Sequence, residues 1–113
     1  MVSRAPTVQF LWWEGCPSWD RALAILREEM SAQGLDPDSV EVREVCTDAD
    51  ADREEFVGSP TIRVDGRDVQ PPGDEPVGLT CRVYRLRNGR ISALPDRDDL
   101  RETLSKAIDG GNE

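Results

Sequence analysis

The run Val8-Gln9-Phe10-Leu11-Trp12-Trp13 constrains the fold more than any other stretch of this chain. Thr7 to Trp13 is rich in β-branched and aromatic residues and almost continuously apolar, the pattern of a central strand covered on both faces. It is too short for a membrane span and it ends at Glu14, with no signal-peptide pattern around it. Gly15-Cys16-Pro17 follows at once, and then Trp19, Ala22, Leu23, Leu26 and Met30 recur at helical spacing. Pro17 suits the first turn of that helix, where a missing N–H is harmless, and Gly34 suits its left-handed end.

A second strand is expected at Val40 to Val45, after a Pro-Asp turn at Asp36 to Asp38, because Val40 and Val42 alternate with Glu41 and Arg43. Cys46 lies at its end. Thr47 and Asp50 have capping-box spacing, which predicts a short helix from about Asp48 to Phe56. The acidic set Asp48, Asp50 and Asp52 lacks the glycine and glutamate of a calcium loop, since Arg53 and Ser59 occupy those positions, so it reads as an acidic first turn. Gly58-Ser59-Pro60 breaks the helix, and Thr61 to Val64 alternates as a third strand ending at Asp65-Gly66. Prolines 71, 72 and 76 with Gly73 and Gly78 make Arg67 to Thr80 an irregular exposed loop. Cys81 to Leu86 alternates as a fourth strand before the Asn88-Gly89 turn. Asp96 then caps a last helix with Leu100, Leu104, Ala107 and Ile108 on one face, closed by Gly110 and Gly111 before a loose tail.

The length of 113 residues suits a single domain spanning 1–113, with its core from about residue 6 to 109. The net charge of −9 argues against nucleic acid and against anionic lipid surfaces, both of which need a basic footprint. Three cysteines do not make a secreted disulfide framework, so a reducing, cytoplasmic setting is expected. With no histidine, Cys-His and Ser-His pairs are excluded and any metal site falls to cysteine and carboxylate. No cofactor and no metal are assigned, and the oligomeric state is left open.

Cys16 carries the functional expectation. A cysteine at a helix N-terminus meets free N–H groups and the positive end of the helix dipole, which favour thiolate, although Glu14 and Asp20 oppose it. A buried cysteine that only packs is the competing reading. The element order β-α-β-α-β-β-α, with Cys16 after the first strand and Pro60 before the third, resembles the thioredoxin fold over nearly the whole chain. That resemblance implies a four-stranded mixed sheet flanked by helices, with Cys16 and a cis-Pro60 together at the active site. A cis bond at Pro60 would turn the Ser59 backbone toward an extended substrate segment. Gly-Cys-Pro with no second cysteine, Gly-Ser-Pro-Thr and the later Cys-Arg-Val-Tyr resemble small thioredoxin-like proteins related to alkylmercury lyase.

Trp19 stands where the dithiol pattern Cys-x-x-Cys would place the second cysteine, so the expected protein is a monothiol that needs another thiol to resolve a mixed disulfide. An external low-molecular-weight thiol ranks first and Cys46, at the same sheet edge, second. Cys81 ranks third, because an antiparallel fourth strand would start roughly 20 Å away at the opposite edge. The expected function is thiol–disulfide exchange at Cys16 with a protein disulfide or small thiol. Ser59 and Pro60, with Trp13, Pro17 and Trp19, are expected to hold substrate; Trp12, Trp13 or Trp19 either lines an apolar rim or packs in the core, since each carries a large apolar area. A redox-inactive module binding a peptide or partner protein is the alternative. A mercury or arsenic role is weaker and would need Cys46 or Cys81 within bonding reach of Cys16.

Overall fold

A computed structural model describes residues 5–110. It is a mixed α/β structure in which β1 (Val8–Trp12), β2 (Glu41–Glu44), β3 (Thr61–Val64) and β4 (Arg67–Asp68) form one sheet in the order β2-β1-β3-β4. β2 runs parallel to β1, while β3 is antiparallel to both β1 and β4. The apolar run thus becomes one of the two inner strands. Val8 and Phe10 face one side with Ile62 and Val64 of β3, and Leu11 faces the other.

Each face has its own cover. Ala22, Leu23, Leu26 and Met30 of α1 (Trp19–Ala32) and Leu100 and Leu104 of α3 (Arg97–Gly110) close the first face. Ala51 of α2 (Asp48–Glu54) and the following Phe56 close the second, against Leu11 and Val45. Glu29, 4% exposed, joins α1 to α3 by ion pairs to Arg97 and Arg101. Among the described residues no helix is long and apolar enough to cross a membrane.

Local signals set the element ends. Gly34 takes φ +78 after α1, and the N–H groups of Gly34 and Leu35 return to the Ser31 and Met30 carbonyls, the paired bonds of a glycine-terminated helix. The Thr47 hydroxyl accepts from Asp50 N–H at 3.0 Å and caps α2. The return half of the expected capping box is displaced by one residue: Asp50 accepts from Cys46 N–H, at 3.4 Å, in place of Thr47. Asp96 accepts from Asp98 N–H at 2.8 Å at the start of α3. That helix extends to Gly110, whereas the expected Gly111 stop and the tail lie outside the described residues.

Three expectations are corrected. The helix expected to contain Pro17 begins at Trp19, so Cys16 stands in the turn before it and outside its N-cap, Ser18. All four residues of β2 are exposed, because it is the edge strand, and the bracketing Val40 and Val45 supply the burial instead. The fourth strand of the sheet is not Cys81–Leu86. Asp65 at φ +51 and Gly66 at φ +81 form a two-residue turn that folds Arg67–Asp68 directly back on β3. The later segment instead makes a separate hairpin, β5 (Tyr84–Arg85) with β6 (Ile91–Ser92), around Asn88-Gly89.

Candidate functional site

The turn Trp13–Ser18 leaves the end of β1 and places Cys16 against the loop that enters β3. The turn is closed by Cys16 N–H bonding to the Trp13 carbonyl at 3.1 Å. Gly15 permits this, because a Cβ there would lie 2.4 Å from the Trp13 ring. Across the gap, Trp13 N–H donates to the Ser59 hydroxyl at 3.0 Å. The Cys16 thiol donates to the Ser59 carbonyl at 3.5 Å and also lies 3.7 Å from the Ser18 hydroxyl. Ser18 makes no side-chain cap bond to α1. The Ser59–Pro60 bond is cis.

Ser59 and Pro60 are not open to a substrate. Both are buried, Ser59 completely, because the chain's own Thr80–Arg82 segment lies on them. Ser59 N–H donates to the Thr80 carbonyl at 2.8 Å, and Arg82 N–H donates to the Ser59 carbonyl at 2.9 Å. Ser59 and Cys81 are therefore partners in a parallel β-bridge. The Tyr84 hydroxyl donates to the Pro60 carbonyl. The backbone groups expected to receive an extended substrate are occupied from within.

This docking is anchored by residues that sequence reasoning missed. The Arg82 guanidinium pairs with Asp68 of β4 through bonds of 2.8 and 3.0 Å, donates to the Gln70 carbonyl, and stands 4.5 Å from the Tyr84 ring centre. Gly58, at φ +141, allows the approach: a Cβ there would fall 2.9 Å from Arg82 Cβ and 3.0 Å from its backbone N and Cα. The signal for this arrangement was Asp65-Gly66. Once that pair makes the β3–β4 hairpin, residues 81–86 are no longer needed in the sheet.

Cys81 is thereby moved from the far sheet edge to the side of Cys16. Both thiols are free, Cys16 buried and Cys81 exposed. Cys81 borders an open hollow of about 420 Å³ with Val57, Pro76, Thr80 and Val83, whereas a larger one of about 1140 Å³ beside β4 and α3 contains no cysteine. The Cys81 thiol is pushed up to about 11, first by Cys16 as a hydrogen-bonding neighbour and then by partial desolvation. Because the shift is upward, its contribution to stability is complete below the ordinary value of 9.0 and is lost as pH rises through about 11. Alkylation of Cys81 by iodoacetamide, read by peptide mapping, is expected to rise about tenfold per pH unit up to that point. In Cys16→Ala the profile should move down toward an ordinary thiol, and an unmoved profile would show that the two sulfurs do not interact.

No family model matches this chain, and neither a curated protein nor a solved structure matches it. The site therefore stands on its own geometry. Cys46 is at the same edge of the sheet as the turn after β1, but β1 separates its strand from β3 and Ser59. It is exposed, and its thiol is held above the ordinary value by partial desolvation and by the carboxylates of Glu44 and Asp50, with a smaller effect from Glu14. Trp19 stacks on Trp12 with ring centres 4.1 Å apart, and both pack on the α1/α3 core. Trp13 packs on the α2 core, and Pro17 is exposed. Of the residues expected at the site, the structure gathers Cys16, Trp13, Ser59, Pro60 and Cys81. Among the described residues no three His, Cys, Asp or Glu side chains are placed to hold a metal ion.

Proposed function

We propose that this chain is a thioredoxin-like protein that exchanges disulfides through Cys16, forming mixed disulfides with a protein disulfide or a low-molecular-weight thiol. The observation that carries the reading is the 3.5 Å contact between the Cys16 thiol and the carbonyl of Ser59, the residue joined to Pro60 by a cis bond. It sets the sulfur delivered after β1 against the loop entering β3, the juxtaposition the family resemblance implies. The β2-β1-β3-β4 sheet with helices on both faces supports the same reading. A thiolate, not a thiol, is the attacking species, so deprotonation of Cys16 would start the exchange.

The test is reduction of a protein disulfide with added small thiol, native chain against Cys16→Ser. The variant is expected to fall to the uncatalysed background, and equal rates would reject the reading.

The 2% exposure of Cys16 and the occupied Ser59 backbone favour a second reading, a redox-inactive module that holds a peptide or partner protein. Alkylation of Cys16 across pH separates the two. A thiol titrating at or above about 8.5 and shielded from reagent supports binding over exchange.

A further inference from the structure

We propose that Cys81 is the second redox thiol of this site and that the oxidised protein carries a Cys16–Cys81 disulfide. This rests on the exchange chemistry proposed for Cys16 and supplies the partner that the turn itself lacks.

Ser59 brings the two cysteines together. Its carbonyl accepts from the Cys16 thiol at 3.5 Å and from Arg82 N–H at 2.9 Å, and its N–H donates to Thr80 at 2.8 Å. Cys81 lies between those two backbone bonds, in register with Ser59. The segment that bears it is pinned by the buried Arg82–Asp68 pair and by the Tyr84 hydroxyl on Pro60. A cysteine delivered along Ser59 takes the place an extended substrate strand would take, so its thiol meets Cys16 as a substrate thiol would. Cys46 has no such path, because β1 lies between its strand and β3.

The chemistry balances within the pair. The Cys16 thiolate, its proton lost to water, attacks one sulfur of a substrate disulfide. The substrate S–S bond breaks, one thiolate leaves and takes up a proton, and a mixed disulfide remains on Cys16. Cys81 then loses its proton to water and attacks the Cys16 sulfur, expelling the second substrate thiolate. The substrate has gained two electrons and two protons, and the two cysteines have lost them. Two molecules of a low-molecular-weight thiol, oxidised to their disulfide, return the protein to its dithiol form.

A raised thiol at Cys81 suits the second of these two steps. The neighbouring Cys16 raises the Cys81 thiol above its ordinary value, so Cys81 is held mainly as the thiol while both cysteines are reduced. The first cause of that shift is the Cys16 thiol.

The test uses the full chain with Cys46→Ser, reduced and then treated with one equivalent of dipyridyl disulfide, a neutral probe unaffected by the acidic surface. The expected result is release of two thiopyridones per protein, a mass lower by two hydrogens, no retained adduct, and Cys16 and Cys81 peptides joined after digestion. Adding Cys81→Ser is expected to halve the release and leave a pyridyl adduct on Cys16. If the Cys46→Ser protein instead keeps its adduct on Cys16, or carries adducts on both cysteines, the resolving role is overturned while exchange at Cys16 stands. If Cys16 stays unmodified even with Cys81→Ser, the exchange reading itself fails and takes this proposal with it.

Discussion

Replacing Gly58 by alanine is expected to lift the Thr80–Arg82 segment off Ser59. Two physical effects combine there. At φ +141 an L side chain is strained whatever the space around it, and the added Cβ would sit 2.9–3.0 Å from Arg82 Cβ, Cα and N. Backbone strain of that kind costs on the order of 1–3 kcal/mol, and the two Ser59 backbone bonds that stretch or break add about 1 kcal/mol each. A fall in the thermal midpoint of about 10 °C or more is expected for a domain of this size. Gly66→Ala is the control, because it has φ +81 but nothing within 4 Å of the new Cβ. It should show only the conformational part. The yield of the Cys16–Cys81 disulfide should fall in Gly58→Ala and hold in Gly66→Ala. An unchanged midpoint and yield in Gly58→Ala would mean that the segment does not depend on the close approach.

The second large effect is expected at Asp68. Its carboxylate and the Arg82 guanidinium are only 9% and 7% exposed, and the pair is bidentate. Asp68→Ala leaves a buried guanidinium with the Gln70 carbonyl and the Tyr84 ring but no anion, which costs about 3–5 kcal/mol. The double variant Asp68→Leu with Arg82→Met should recover much of that loss, since apolar packing removes the stranded charge. Denaturant midpoints decide the matter. A cost below about 1 kcal/mol for Asp68→Ala would place the pair with ordinary surface ion pairs. Because Arg82 follows Cys81 in the chain, the single variant is also expected to lower the disulfide yield, a readout that stability alone at low temperature does not supply.

Much of the architecture was legible from local patterns. The run at Val8–Trp12, the glycine stop at Gly34 and the caps at Thr47 and Asp96 each depend on a few neighbouring residues, so they could be read without knowing the fold. The fourth strand escapes such a reading for an equally local reason. Cys81–Leu86 alternates better than Arg67–Asp68, yet the Asp65-Gly66 turn holds Arg67–Asp68 beside β3 and leaves no choice of partner. Alternation reports which residues suit a strand, not which strand they join.

The same limit governed the site. Cys16 and Pro60 were marked by their positions relative to strands, and the cis bond at Pro60 is present. The separation of Cys16 from Cys81 was not readable, because it depends on an ion pair between Arg82 and Asp68, fourteen positions apart, and on a glycine that leaves room for another segment's backbone. By itself the sequence determined the central strand, the helices that cover it and a cysteine in the turn between strand and helix, since each follows from short-range periodicity and turn chemistry. Only the tertiary structure decided that Ser59 is covered by Thr80–Arg82 and that Cys81 lies beside Cys16, because backbone pairing between distant segments is settled by the shape and charge of what they meet.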